Sequence, residues 1–426
     1  MLPNPGNRIK NQSAQDTNQA VMFPAFMREN PRLALFAVLA TASSGFGQTF
    51  FFSVFGGGIR DTFALQNSTY GLIYSLATLA SAILLLKLGP LADRWSLNRV
   101  TTLAVVILAT GCLTIALTPH WLLLIPGFLL ARLGGQGLMG HIGLTTAGRY
   151  FSTNRGRIMA LTSGGFPIAE AILPLSAGLI LAASGWRMPW FIATGLLLVV
   201  LLPLLLYLSR HATHPVVLSG NRSDHPHAQA VRPDYNRSQV LRDPGFYLIL
   251  PAALIVPFTV TAVLFHQSAF AEVRGWSTEQ IGLAFTGFAA GHIVSLFFGG
   301  PLVDRIGAQR ALSYGLAPIF CSMLVLGLSD FAWTPNLYLA LCGISLGFIG
   351  AAAGAIWPER YGVGHIGAIR SVAQASMVFS TALSPILVGV LLDFGIATTG
   401  IGVLFAVLIL LSAILALVAT APKQRA

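Results

Sequence analysis

The chain has 426 residues, 55% of them hydrophobic and only 9% charged, with a mean hydropathy of +0.74. Apolar runs of about 20 residues at that composition belong in a bilayer, which excludes a soluble globular fold. The net charge of +11 invites a nucleic-acid partner, but that reading needs Lys and Arg gathered on one face with aromatics between them, and here they are scattered between apolar runs.

In chain order, residues 1–31 are polar and hold no short apolar region followed by a cleavage site, which predicts a cytoplasmic tail and not a removed leader. Twelve spans follow, at about 32–56, 69–88, 100–118, 121–147, 158–182, 189–209, 246–270, 280–300, 310–328, 336–357, 369–391 and 396–420. They form an N-terminal six-helix bundle (32–209) and a C-terminal one (246–420), joined by a polar linker (210–245) and followed by a tail (421–426). With the ends inside, 21 of the 25 Lys and Arg fall on the inner side, leaving Arg60, Arg187 and Arg274 outside and Arg132 within a span. This bias puts both termini in the cytoplasm and points to a bacterial inner membrane. His211, His214, His225 and His227 in the linker read as part of a flexible tether, with a metal-binding tract as the alternative. Cys112, Cys321 and Cys342 lie in apolar stretches without CxxC spacing, so no disulfide framework or zinc site is signalled. No nucleotide-binding loop or nucleophile-base constellation occurs, so neither an enzyme nor a cofactor is expected.

A charge-dense phrase is written twice, "GPLADRWSLNR" from Gly89 to Arg99 and "GPLVDRIGAQR" from Gly300 to Arg310. The offset, 300 − 89 = 211, also carries Gly71 to Gly282, Arg149-Tyr150 to Arg360-Tyr361, Pro174 to Pro385 and Gly178 to Gly389. One gap-free shift therefore relates two halves of six spans, in the same orientation, about an axis along the membrane normal.

On these loops the chain resembles the major facilitator superfamily, over roughly residues 30 to 420. The pattern G-x-L-x-D-R after the second and eighth spans carries the likeness, although Ser96 replaces the glycine that the second copy keeps as Gly307. The resemblance implies twelve transmembrane helices in two pseudo-symmetric bundles, an all-α membrane protein. It also implies cytoplasmic gating loops, here Gly89, Asp93, Arg94, Arg99, Gly300, Asp304, Arg305 and Arg310. Helix N-termini carry partial positive charge, so Asp93 is expected to dock near Arg370 and Asp304 near Ile158. Arg94 and Arg305 would then bond nearby carboxylates or carbonyls.

Ionisable residues at bilayer depth cost several kcal/mol unless paired, which makes them functional candidates. Arg132 lies about halfway along the fourth span and Glu170 about halfway along the fifth, so they are expected to pair. Protonation of Glu170 would then free Arg132 for an anion; a fixed structural pair is the alternative. "RLGGQGLMGHIG" resembles the superfamily's arginine-and-glycine signature of the fourth span, associated with proton coupling. On α-helical spacing Gln136 shares the Arg132 face, whereas His141, nine residues on, points nearly opposite. The remaining candidate cavity residues are Gln48, His292 and Gln374, with His266 at an outer gate. Trp357 reads as an interfacial anchor.

"SGGFPIAEAILPLSAG" in the fifth span lacks the glycine-rich signature with Gly-Pro that drug antiporters usually carry. "GRYFSTNRGRIMAL" and "GQTFFFSVFGGGIRDTF" look more like the monocarboxylate and small organic anion carriers, although the arginine usual in their eighth span is absent. The expected function is secondary active transport by alternating access, as proton-coupled symport of a small carboxylate-bearing solute by a monomer in the bilayer. The alternatives are a proton-driven exporter of lipophilic compounds and a non-transporting receptor or scaffold.

Overall fold

In a bilayer each backbone N–H and C=O must find a partner within its own segment, which leaves helices as the form for these apolar runs. The computed structural model describes residues 30–151, 155–210, 235–362 and 364–419, so the linker histidines lie outside the described residues. Eleven helices are long and apolar enough to cross a membrane, and a bent pair supplies a twelfth. In chain order they are α1 (Pro31–Gly47 with Thr49–Phe63, bent by 44°), α2 (Asn67–Leu88), α3 (Leu97–Leu117), α4 (Trp121–Tyr150), α5 (Arg157–Ser184) and α6 (Met188–Ser209). The second half holds α7 (Pro244–Phe265), α8 (Thr278–Ile306), α9 (Ala308–Leu328), α10 (Thr334–Tyr361), α11 (Ile366–Asp393) and α12 (Thr398–Val418).

Local sequence sets the ends. Asn30 accepts from Leu33 N before Pro31 opens α1, and Ser277 with Gln280 forms a reciprocal capping box at α8. The second charge-dense phrase departs from the expected loop. Pro301 is accommodated within α8, which runs on to Ile306 before Gly307 turns at φ +81°. The first copy does break, at Gly89-Pro90, with one helical turn over Leu91–Arg94.

The halves meet along two seams, α2 on α11 and α5 on α8, which the 211 offset interchanges. We call the side on which residues 210 and 235 lie the linker face. At the opposite face the halves are tied by Arg60 Nη2 to Glu272 Oε1 at 2.8 Å. Asp393 there caps α2, accepting from Asn67 N at 3.0 Å and Ser68 N at 2.8 Å. At the linker face the bonds expected of Asp304, Arg94 and Arg305 are not among the described contacts. Asp304, Arg305, Arg310, Arg94 and Arg99 are exposed, and Arg370 donates to Gly354 O at 2.7 Å and not to a carboxylate. The Asp93 side chain lies outside what is described.

Trp357 is no interfacial anchor. It is 3% exposed and packs on Phe246 and Tyr361, above a cluster at the start of α7. There Asp243 accepts from Tyr361 OH at 2.7 Å, Arg360 Nη2 at 3.0 Å and Gly245 N at 3.0 Å. Burial pushes the Asp243 carboxyl up, but the Tyr361, Gly245 and Arg360 donors outweigh it and hold it below the usual carboxylate range. A carboxylate held low in the folded state contributes stability that is fully present above its unfolded pKa and is lost as pH falls from there through the folded value. Asp243→Ala is therefore expected to cost about 3 kcal/mol at pH 7. The gap in thermal midpoint between wild type and variant in detergent should close as pH drops below about 4.

Candidate functional site

Between the halves lies a cavity of about 490 Å³. Its lining includes Gln48 of α1, Arg132 and Gln136 of α4, Glu170 of α5, His292 of α8 and Gln374 of α11. All six residues expected at or near a cavity therefore share one chamber. His266 stands apart from it, 1% exposed in the break after α7, with Nε2 donating to Pro385 O of α11 at 2.7 Å.

The break in α1 explains how Arg132 is held. Ser44–Gly47 tighten into a 3₁₀ turn and Gln48 adopts extended backbone, so Phe51 N turns to Gln48 O. Gly47 O is thereby left to accept from Arg132 Nη1 at 3.1 Å. Irregular backbone of this kind survives at membrane depth where it lines a cavity. Gly135 permits the approach, since a Cβ there would stand 2.6 Å from Gly47 Cα. The guanidinium also lies 4.9 Å from the Tyr74 ring centroid, and the Tyr74 hydroxyl bonds Thr49 at 2.7 Å. Arg132 is 2% exposed, and its Nε has no hydrogen-bond partner among the described residues.

Glu170 does not pair with Arg132. Its carboxylate meets His292 Nδ1 at 2.8 and 3.1 Å, across the α5–α8 seam and so between the two halves. Glu170 and His292 side chains are 5% and 12% exposed. Depth alone suggested the arginine, but the antiparallel crossing of α5 and α8 decides. Gly178 packs on Thr278 and Gly282 on Leu175, and continuing the crossing toward the linker face brings Glu170 to His292. The repeat held a trace of this pairing. Glu170 maps to Thr381 (170 + 211) and His292 to Ser81 (292 − 211), and both of those line the same cavity.

α4 carries a second departure from sequence expectation, a π-helical stretch over Leu133–Met139 that begins next to Arg132. Nine residues make two and a half α-turns, but the wider i→i+5 turns reduce the rotation to about two turns. Regular spacing therefore does not fix the side of α4 that His141 takes, and the residue is exposed. No feature of the sequence beyond the glycine run Gly134, Gly135 and Gly137 signals the change. Among the described residues no group of three or more His, Cys, Asp or Glu is placed to hold a metal ion.

The family model described as Major Facilitator Superfamily matches residues 37–280 and 252–426. The chain belongs to that superfamily. It is 24% identical over 437 residues to an uncharacterized MFS-type transporter, YcxA, of Bacillus subtilis (strain 168), covering 94% of this chain and 98% of the relative. The fold is similar to that of a bacterial homolog of the human lysosomal transporter Spinster in an inward-facing and occupied conformation. That likeness has a TM-score of 0.65 and 15% identity, over 91% of this chain and 95% of the other. The same homolog, inward-facing and unoccupied, aligns with a TM-score of 0.62 and 15% identity, over 90% and 93% of the two chains. The protein is a multi-pass superfamily transporter, and its chamber sits between the two six-helix halves.

Proposed function

We propose that the protein is a proton-coupled symporter of a small carboxylate-bearing solute, working by alternating access with the linker face in the cytoplasm. The observation that carries this reading is the Glu170–His292 contact between halves, inside a chamber that also holds a carboxylate-free Arg132. A sealed chamber is least costly when its charges cancel. Empty, Glu170 carboxylate offsets Arg132. With a proton on Glu170 that offset is gone, and a substrate carboxylate drawn to Arg132 restores it. Both neutral states can change conformation, and the chamber holding a proton alone is disfavoured, which couples the two fluxes. His292 follows the charge on Glu170, gripping it when ionised and becoming available to the substrate when it is protonated.

Localisation to a bacterial inner membrane follows the excess of basic residues at the linker face. The apolar wall of Phe50, Phe166, Leu264, Phe288 and Met377 favours a second reading, export of lipophilic compounds against protons. Purified protein in liposomes with an interior pH dye separates them, given lactate, pyruvate, succinate, citrate and a set of lipophilic cations. Acidification with a carboxylate supports symport. Proton movement in the opposite sense, with lipophilic cations only, replaces it with export.

A further inference from the structure

The two halves do not line the chamber alike. On the N-terminal side Arg132 gives Nη1 to Gly47 O, while Nε has no hydrogen-bond partner among the described residues and no described bond uses Nη2. Nε and Nη2 form the edge of a guanidinium that takes a carboxylate through two parallel bonds. Gln48 of α1 and Gln136 of α4 line the same chamber. Neither side-chain amide has a hydrogen-bond partner among the described residues, and each carries N–H donors.

The C-terminal side supplies apolar surface. α7 turns Pro257, Val260 and Leu264 to the chamber, at the i, i+3 and i+7 spacing of one helix face, α8 adds Phe288 and α11 adds Met377. Phe50 and Phe166 line it from the N-terminal half, so what divides the two walls is charge. The polar groups of the C-terminal wall are neutral or engaged. Thr381 donates to Met377 O at 3.0 Å and Val378 O at 3.1 Å, His292 is held by Glu170, and Thr261 and Gln374 carry no charge. In the charge balance proposed above Arg132 is the one cation once Glu170 is protonated. A second carboxylate on the solute would therefore be desolvated against this wall with no cation to meet it.

We propose that the solute is a monocarboxylate with an apolar body, an aryl- or alkyl-substituted acid, bound with its carboxylate on Arg132 of the N-terminal half and its body against α7, Phe288 and Met377 of the C-terminal half. This rests on the proton-symport reading and names its substrate class. The chamber's 490 Å³ falls among clefts of roughly 300–1,000 Å³ that bury drug-sized ligands, room for a body well beyond three carbons. The apolar wall then needs no exporter to explain it, because it receives the body of the same molecule whose carboxylate restores the charge balance at Arg132. Affinity comes from the area of that body, and rejection of dicarboxylates comes from the wall it rests on.

The test is isothermal titration calorimetry at pH 7 on the full chain in nanodiscs, with empty nanodiscs subtracted, using propionate, succinate, 3-phenylpropionate and 3-(4-carboxyphenyl)propionate. The phenyl group is expected to tighten binding about thirtyfold over propionate, and the second carboxylate on the same body to weaken it about a hundredfold. Met377→Ser should weaken 3-phenylpropionate about fivefold and leave propionate within about twofold. Equal affinity for propionate and 3-phenylpropionate, or for the two phenyl acids, overturns the proposed class. Symport itself then still stands if carboxylates acidify the liposomes in the dye assay. An equal loss for both acids in Met377→Ser overturns the placement of the body. Binding of 3-phenylpropionate with no proton taken up, read from heats in buffers of different ionisation enthalpy, overturns the symport reading and with it the charge argument for a single carboxylate.

Discussion

Glu170→Gln is expected to abolish pH-driven accumulation of substrate while leaving exchange of labelled for unlabelled substrate within a few-fold of wild type. Glutamine reproduces the shape and neutrality of protonated Glu170, so the loaded chamber can still form and change conformation. The empty chamber then keeps the Arg132 cation with no carboxylate to offset it, so the unloaded return step stalls and net flux fails. A proton travelling with a monoanion moves no net charge, so a difference of one pH unit supports about tenfold accumulation in the wild type. The variant should show none. Counterflow and net uptake measured on the same vesicles give the answer, and pH-driven accumulation that survives in Glu170→Gln would remove Glu170 as the coupling acid.

The residues behind this prediction were legible in sequence because polar and charged side chains are scarce in a chain that is 9% charged. Gln48, Arg132, Gln136, Glu170, His292 and Gln374 stand out at bilayer depth for that reason, and depth follows directly from position along an apolar run. Rotation about the helix axis does not follow. Arg132 and Glu170 have matching depth, but the α5–α8 crossing turns Glu170 to the other half. The π-helical stretch after Arg132 likewise departs from the regular spacing on which a reading of helix faces depends. Trp357 was misread for a related reason: a tryptophan at a helix end suits an interface or a buried stack equally, and its contacts with Phe246 and Tyr361 are settled by how α7 meets α10. The twelve spans and the two-fold repeat needed no such information, since length, hydropathy and the 211 offset are properties of the chain itself.

The same offset leads to an asymmetry that substitution can expose. At the α2–α11 seam a Cβ at Gly71 would stand 2.6 Å from Pro385 O, and one at Gly389 would stand 2.6 Å from Asn67 O. Their counterparts on the α5–α8 seam have more room, with Gly282 at 3.2 Å from Leu175 Cα and Gly178 at 3.4 Å from Thr278 Cγ2. Gly71→Ala with Gly389→Ala therefore forces α2 and α11 apart only where the opposite face is closed. Overpacking costs about 1–3 kcal/mol per site, and two sites approach the roughly 5.5 kcal/mol that carries a two-state equilibrium from 1:99 to 99:1. The pair should hold the protein open at the opposite face, folded but unable to complete a cycle. Gly178→Ala with Gly282→Ala should leave transport within a few-fold of wild type. Access to Thr381→Cys, in a background lacking Cys112, Cys321 and Cys342, reads the state through an impermeant maleimide. Labelling is expected from the linker face in the parent and from the opposite face in the Gly71 and Gly389 pair. If the α5–α8 pair shifts access as strongly, closure is shared between the seams, and the Asp393 cap that only α2 receives does not set the order in which they part.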